Sequence, residues 1–146
     1  MKILVSACLL GTPCRYDGKS KPHPLMEELI RKHQVIPVCG EVMGGLPTPR
    51  VPSERIGSDK VMTQKGVDVT DNYRKGAEEV LRLGRLYGCN TAILKEKSPS
   101  CGNGKIYDGS FTRTLIDGYG VTAELLRKIG FRVLGESELE EFLKNS

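Results

Sequence analysis

Short apolar runs alternate with amphipathic stretches along this chain, and that alternation restricts the fold more than any other feature. Ile3-Leu4-Val5-Ser6-Ala7 is a continuous apolar run ending in a loop, the pattern of a buried strand. Pro24 then stands where a first helical residue would, with Leu25, Met26, Leu29 and Ile30 on one face behind it. Val35-Ile36-Pro37-Val38 reads as a second strand, and Pro37, which has no N–H, sends it to an edge or distorts it. Beyond short β-like pieces at 51–56 and 60–63, the periodicity predicts a helix over 71–87. Thr70 or Asp71 can cap that helix, Tyr73, Ala77, Val80 and Leu81 form its stripe, and Gly88 can end it. Gly84 inside it implies close packing, because an unforced helical glycine costs about 1 kcal/mol against alanine. Thr91-Ala92-Ile93-Leu94 is strand-like, and a long polar loop is expected from there to about position 117. A helix carrying Val121, Leu125, Leu126 and Ile129 stops at Gly130, Arg132-Val133-Leu134 is a last strand, and Ser137 with Glu140 suits a capping box for a terminal helix. Strands alternating with helices predict an α/β fold: a single domain over 1–146, with a mostly parallel, Rossmann-like sheet and helices on both faces.

The chain of 146 residues can bury a core without disulfide or metal staples. Its apolar runs are far too short to cross a bilayer, and the apolar start is too short for a signal peptide, so a cytoplasmic protein is expected. In that reducing setting five cysteines are not a disulfide framework; they are spare, buried, catalytic or metal-bound. The net charge of +4 is spread along the chain and aromatics are only 5%, which disfavours nucleic acid and suits a small polar or anionic ligand. There is no internal repeat, no Gly-x-Gly-x-x-Gly after the first strand and no Gly-Lys-Ser/Thr phosphate loop, so a dinucleotide enzyme or P-loop ATPase is disfavoured.

The cysteines are informative by position. Cys8 follows the first strand, Cys39 follows the second, and Cys101 lies in the loop after Ile93-Leu94. Ligands of open parallel sheets bind at the carboxyl ends of strands, so three thiols are expected at one edge. Cys14 shares a loop with Cys8 and can join them, whereas Cys89, at the start of a strand, reads as core. Seven of the eight prolines fall between positions 13 and 52, stiffening the loops around the first three of these thiols. His23 and His33 flank the first helix as cap and surface residues without metal-ligand spacing.

Three thiolates are open to several chemistries. A structural zinc site is disfavoured, because no Cys-x-x-Cys pair exists and such sites take four protein ligands. A thiol nucleophile lacks a histidine in its own loop to serve as base. An iron–sulfur cluster held by three thiolates would keep one iron without a protein ligand, open to a soft substrate atom such as sulfur. Spacing alone leaves the choice of metal open.

The loops themselves decide more. Ser6-Ala7-Cys8-Leu9-Leu10-Gly11 with Cys14-Arg15-Tyr16-Asp17-Gly18, Gly44-Gly45-Leu46-Pro47-Thr48-Pro49-Arg50, and Lys97-Ser98-Pro99-Ser100-Cys101-Gly102 resemble the thiouracil desulfidase family. Ile106-Tyr107-Asp108-Gly109-Ser110-Phe111 and Gly120-Val121-Thr122-Ala123 extend the resemblance over nearly the whole chain. It implies a [4Fe-4S] cluster held by Cys8, Cys39 and Cys101, with Cys14 as the substitute if one of these is wrong. It also implies Glu41 as catalytic carboxylate, taking a proton from an attacking water, and Ser98 as active-site hydroxyl. The implied activity is non-redox removal of sulfur, as sulfide, from a thiolated pyrimidine base or nucleoside. One departure stands out: the family usually reads Cys-Pro-Glu where this chain has Cys39-Gly40-Glu41, and glycine is expected to loosen the loop that carries Glu41.

Arg15, Arg50 and Lys97 can orient a ring or hold a charged substituent, or form structural ion pairs. Asp17 and Asp108, each followed by glycine, read as turn residues. The alternatives to an enzyme of this kind are a cluster-bearing sulfur carrier and a metal-free thiol redox protein.

Overall fold

Four parallel strands make the centre of the molecule, and their order explains why the apolar runs are continuous. The computed structural model describes residues 1–146. In chain order the elements are β1 (Lys2–Ser6), α1 (Met26–Lys32), β2 (Gln34–Val38), α2 (Gly40–Met43), β3 (Ser53–Ile56), β4 (Lys60–Thr63) and α3 (Thr70–Leu86). There follow β5 (Thr91–Leu94), β6 (Asn103–Tyr107), β7 (Leu115–Tyr119), α4 (Val121–Ile129), β8 (Arg132–Gly135) and α5 (Leu139–Lys144). The central sheet has the order β2-β1-β5-β8, every pair parallel. The expected α/β architecture is therefore present, joined by two small antiparallel ribbons, β3-β4 and β6-β7.

Side-chain alternation sorts the core into two layers. Ile3, Val5, Ile93 and Leu134 point to one face and pack on Leu29 of α1 and on Leu139 and Phe142 of α5. Leu4, Ala92, Leu94 and Val133 point to the other and pack on Val80 of α3 and Leu126 of α4. A strand covered on both faces has no polar side to show, hence the unbroken apolar run. β2 is an edge strand, which accommodates Pro37. Gly84 is close-packed as expected: a Cβ there would lie 3.0 Å from both Leu4 Cδ1 and Phe131 Cζ.

Three local expectations are corrected, and one short element had no signal in the sequence. The α3 helix begins at Thr70, one residue early, because Asp68 Oδ1 accepts the Thr70 N–H at 2.9 Å while the Thr70 hydroxyl is taken by the Val61 N–H. The polar stretch before position 117 contains the β6-β7 ribbon, whose strands bury so little that no period-2 signal survives. The helical turn α2 is only four residues, too short to show a period. At the chain's end a 3-10 turn (Glu136–Glu138) precedes α5, and its box is closed by the Gly135 N–H on Glu138; Ser137 instead donates to Glu96.

Candidate active site

Because β2, β1 and β5 are neighbours in the sheet, the segments leaving their carboxyl ends are neighbours too. Cys39 is the residue between β2 and α2, Cys8 sits on a 3-10 turn (Ala7–Leu10) directly after β1, and Cys101 lies in the turn between β5 and β6. All three line one cavity of about 490 Å³, together with Cys14, Glu41 and Ser98. This is the strand-end placement expected for a parallel sheet.

The surroundings of Cys101, Cys39 and Cys14 favour the protonated thiol. Burial pushes the Cys101 thiol up to about 12, and the nearby Cys39 and Glu41 charges act in the same direction. The Ser6 hydroxyl works against this by donating to Cys101 Sγ at 3.5 Å, while Ser6 Oγ accepts the Lys95 N–H at 2.9 Å. Contact with Cys14, and then burial, drive Cys39 above the ordinary thiol range. On Cys14 the largest influence, its hydrogen bond with Cys39, lowers the value, but contact with Cys8 and burial together outweigh it. No three His, Cys, Asp or Glu side chains converge as ligands of a single ion. Four soft sulfur donors spread around one cavity match the thiolate chemistry of an iron–sulfur cluster, whose ligands sit on different irons. Cys8, Cys14, Cys39 and Cys101 are thus the residues able to hold a metal group here, and all are free thiols.

Glu41 is the second residue of α2 and forms a largely buried ion pair with Arg50, their side chains 13% and 7% exposed. Arg50 donates Nε to Glu41 Oε2 at 2.7 Å and a terminal N–H to the same oxygen. Its remaining donors reach the carbonyls of Cys14 at 3.0 Å and Pro47 at 3.2 Å, and Thr48 Oγ1 at 3.2 Å. Every guanidinium nitrogen is engaged, so Arg50 is the structural ion pair of the two readings open to it, not a free cation for substrate. Neither donor bonds Glu41 Oε1, and Tyr73 lines the same cavity. Burial, and then the Glu41 charge, push the Tyr73 hydroxyl far above its usual range, keeping it a donor.

Ser98 is held differently. Its Oγ accepts the N–H groups of Ser100 and Cys101, each at 3.0 Å. With its oxygen fixed by two backbone donors, the hydroxyl hydrogen is left to donate to something else. The preceding Lys97 adopts φ 71°, a left-handed conformation that turns the chain sharply into this segment.

The structure gathers Cys8, Cys39, Cys101, Glu41 and Ser98 on one cavity, with Arg15 and Lys97 also on its wall. Cys89 lies away from it, in the α3–α4 layer of the core. Asp17 and Asp108 serve turns, accepting the Lys19 N–H at 3.0 Å and the Ser110 N–H at 2.9 Å. His23 and His33 are remote: His23 Nδ1 accepts the Leu25 N–H, and His33 sits between the Met1 amine and Ser146. Sequence reasoning missed Tyr73 as a polar neighbour of Glu41, having its ring only in a helical stripe. It also missed Glu54, Tyr107, Phe111 and Arg113 on the cavity wall, because they come from the two ribbons with no clear period.

The family model described as 2-thiouracil desulfurase matches residues 3–138. The chain belongs to the 2-thiouracil desulfurase family. An uncharacterized relative, protein YbbK of Bacillus subtilis (strain 168), is 41% identical over 150 residues, covering 97% of this chain and 99% of its own. The solved structure of the [4Fe-4S]-dependent thiouracil desulfidase TudS superposes with a TM-score of 0.90 at 48% identity, covering 96% of this chain and 93% of that one.

In this member of the desulfurase family the glycine before Glu41 does not loosen its surroundings. Gly40 is buried, and a Cβ on it would lie 2.5 Å from Ser100 Oγ and 2.7 Å from Thr122 Oγ1. Those two hydroxyls are hydrogen-bonded at 2.9 Å. From the other side, a Cβ on Gly76 would come within 1.7 Å of the Gly40 carbonyl oxygen. Close backbone packing of α2 against α3 replaces a stiff residue as the means of holding Glu41 in place.

Proposed function

We infer that this protein is an enzyme that removes sulfur from a thiolated pyrimidine, a thiouracil-like base or its nucleoside, by hydrolysis with the help of a [4Fe-4S] cluster. The balance is C=S plus water to C=O plus hydrogen sulfide, with no electrons gained or lost. The observation that carries this reading is the convergence of three strand-end thiols, one arginine-held carboxylate and one backbone-fixed hydroxyl on a single cavity. Membership of the family and 48% identity to a protein named as such a desulfidase support it. The 1–146 chain acts as one desulfidase domain.

Cys8, Cys39 and Cys101 would hold the cluster, each from the segment that follows a different strand. When bound, the group supplies an iron without a protein ligand, a Lewis acid for the thiocarbonyl sulfur. The protein's own groups do the rest. Arg50 keeps one oxygen of Glu41 occupied and leaves Oε1 to take a proton from water directed at the ring carbon. Ser98, its oxygen fixed by two N–H groups, donates its hydrogen to the substrate as the C–S bond breaks.

Anaerobic purification or reconstitution tests the reading. About four irons per chain together with sulfide release from 2-thiouracil are expected. A protein that keeps no iron after reconstitution sinks the cluster assignment. A loaded protein that takes up sulfide but never converts thiouracil is a carrier instead.

A further inference from the structure

One acid on the cavity wall faces neither the thiols nor Glu41. Glu54 of β3 is 9% exposed, and its Oε1 accepts the backbone N–H groups of Gly109 at 3.0 Å and Phe111 at 3.1 Å. It therefore ties the turn between β6 and β7 to the β3-β4 ribbon on the cavity wall. The tie is close: a Cβ on Gly109 would lie 2.8 Å from Ile56 Cγ1 and 3.2 Å from the Arg55 carbonyl oxygen.

The tethered turn holds an unusual backbone. Phe111 has φ 59° and Arg113 φ 60°, a region that bulky L-residues rarely adopt. Such conformations persist only where the surroundings over-determine them, and they cluster at ligand clamps. Here Asp108 Oδ1 accepts the Ser110 N–H at 2.9 Å, the Ser110, Thr112 and Thr114 hydroxyls bond in series at 2.6 and 2.8 Å, and the Asp108 N–H closes on the Thr114 carbonyl at 3.0 Å. The side chain so displayed is a half-buried phenyl ring on a cavity wall rich in charged and polar groups.

We propose that Phe111 is the aromatic face against which the substrate's ring stacks, and that Glu54 is the positioning residue that holds it there. The proposal rests on the thiolated-pyrimidine reading. A planar heteroaromatic ring gains from an aromatic face whatever its substituents, and phenylalanine has no hydroxyl to compete for water at the reacting carbon. Of the four rings on the cavity wall, Tyr16, Tyr73 and Tyr107 each carry a hydroxyl, and Phe111 alone is wholly apolar. Glu54 acts only through the turn.

The chain contains no tryptophan, so Phe111→Trp places a single indole at the proposed contact. Titration of the cluster-loaded variant with uracil, which has no sulfur to lose, and then with 2-thiouracil is expected to change its emission saturably. In steady-state sulfide release, Phe111→Ala raises KM for 2-thiouracil about tenfold and moves kcat less. Glu54→Ala reproduces that KM defect, adds little on top of Phe111→Ala, and is largely rescued by Glu54→Gln, which keeps the accepting oxygen. Emission at position 111 indifferent to both pyrimidines, with Phe111→Ala at the parent KM, overturns the proposal and leaves the desulfidase reading standing. A saturable change in a protein that releases no sulfide supports the ring contact and removes the desulfidase reading. If Glu54→Ala fails to fold, Glu54→Gln and the fluorescence titration still decide: an unmoved indole sinks the ring contact.

Discussion

Arg50 places two of its N–H donors on one oxygen of Glu41 and leaves the other oxygen clear. The pair joins two segments, since Glu41 rides on α2 and Arg50 lies in the proline-rich stretch that follows it. Through its bond to the Cys14 carbonyl, Arg50 also reaches the segment that follows Cys8. One side chain thereby couples the carboxylate to the backbone around the thiols.

Removing Arg50 is expected to cost both fold and rate. Arg50→Ala leaves a mostly buried carboxylate without its cation, a change that costs about 3–5 kcal/mol where such pairs are broken. Denaturant unfolding measures the loss, and the double variant Arg50→Ala with Glu41→Gln should recover part of it. Arg50→Lys keeps the charge without the fork. In that variant kcat for sulfide release falls about a hundredfold while iron content stays at the parent level.

Glu41→Ala separates chemistry from cofactor binding. Iron content and visible absorption are expected to match the parent, and sulfide release from 2-thiouracil to fall by about 10²–10⁴, the usual worth of a positioned general base. Equal rates in variant and parent would rule Glu41 out as the base.

The cysteines divide under substitution. Cys8→Ser, Cys39→Ser and Cys101→Ser each lower the iron retained after anaerobic reconstitution, while Cys89→Ser, at a position that does not line the cavity, leaves it unchanged. Cys14→Ser keeps the iron as well. A colourless Cys14→Ser protein alongside a fully loaded Cys8→Ser protein would exchange those two assignments.

The contact between α2 and α3 has no room for a methyl group. Gly76→Ala drives a Cβ into the Gly40 carbonyl oxygen, and overpacking of this kind costs about 1–3 kcal/mol. Because α2 must shift to relieve it, kcat should fall together with the unfolding midpoint.

The start of α3 makes stability depend on acid. Asp68 is held below the usual carboxylate range by its hydrogen bonds to Thr70, so its folded value lies under the unfolded 3.8. Its contribution is therefore complete above the unfolded value and disappears as pH falls through the lower, folded one. Asp68→Asn is expected to be less stable than the parent at neutral pH. The two unfolding curves should merge below pH 3.8 once the parent carboxyl is also neutral.

The strands, the long helices and the residue types of the site were legible in the amino-acid order, because burial on a strand or helix face imposes a local period that a sequence records directly. Ile3-Leu4-Val5, the stripe through Tyr73 and Val80, and the strand-end cysteines all carry that signature. The β6-β7 ribbon escaped it, whereas the β-like pieces at 51–56 and 60–63 did mark β3 and β4. The β6 and β7 strands are short and mostly open to solvent, so the turn that carries Phe111 had no pattern to mark it. The loose link expected at Gly40 also gave way, since what holds that residue is Gly76 of a helix more than thirty positions away. Tertiary structure alone decided that β2, β1 and β5 lie side by side, that Arg50 takes Glu41 as its partner, and that a buried acid on one ribbon holds a turn of the other. Each of these is a pairing between groups distant along the chain, and such pairings are set by packing geometry rather than by any local period.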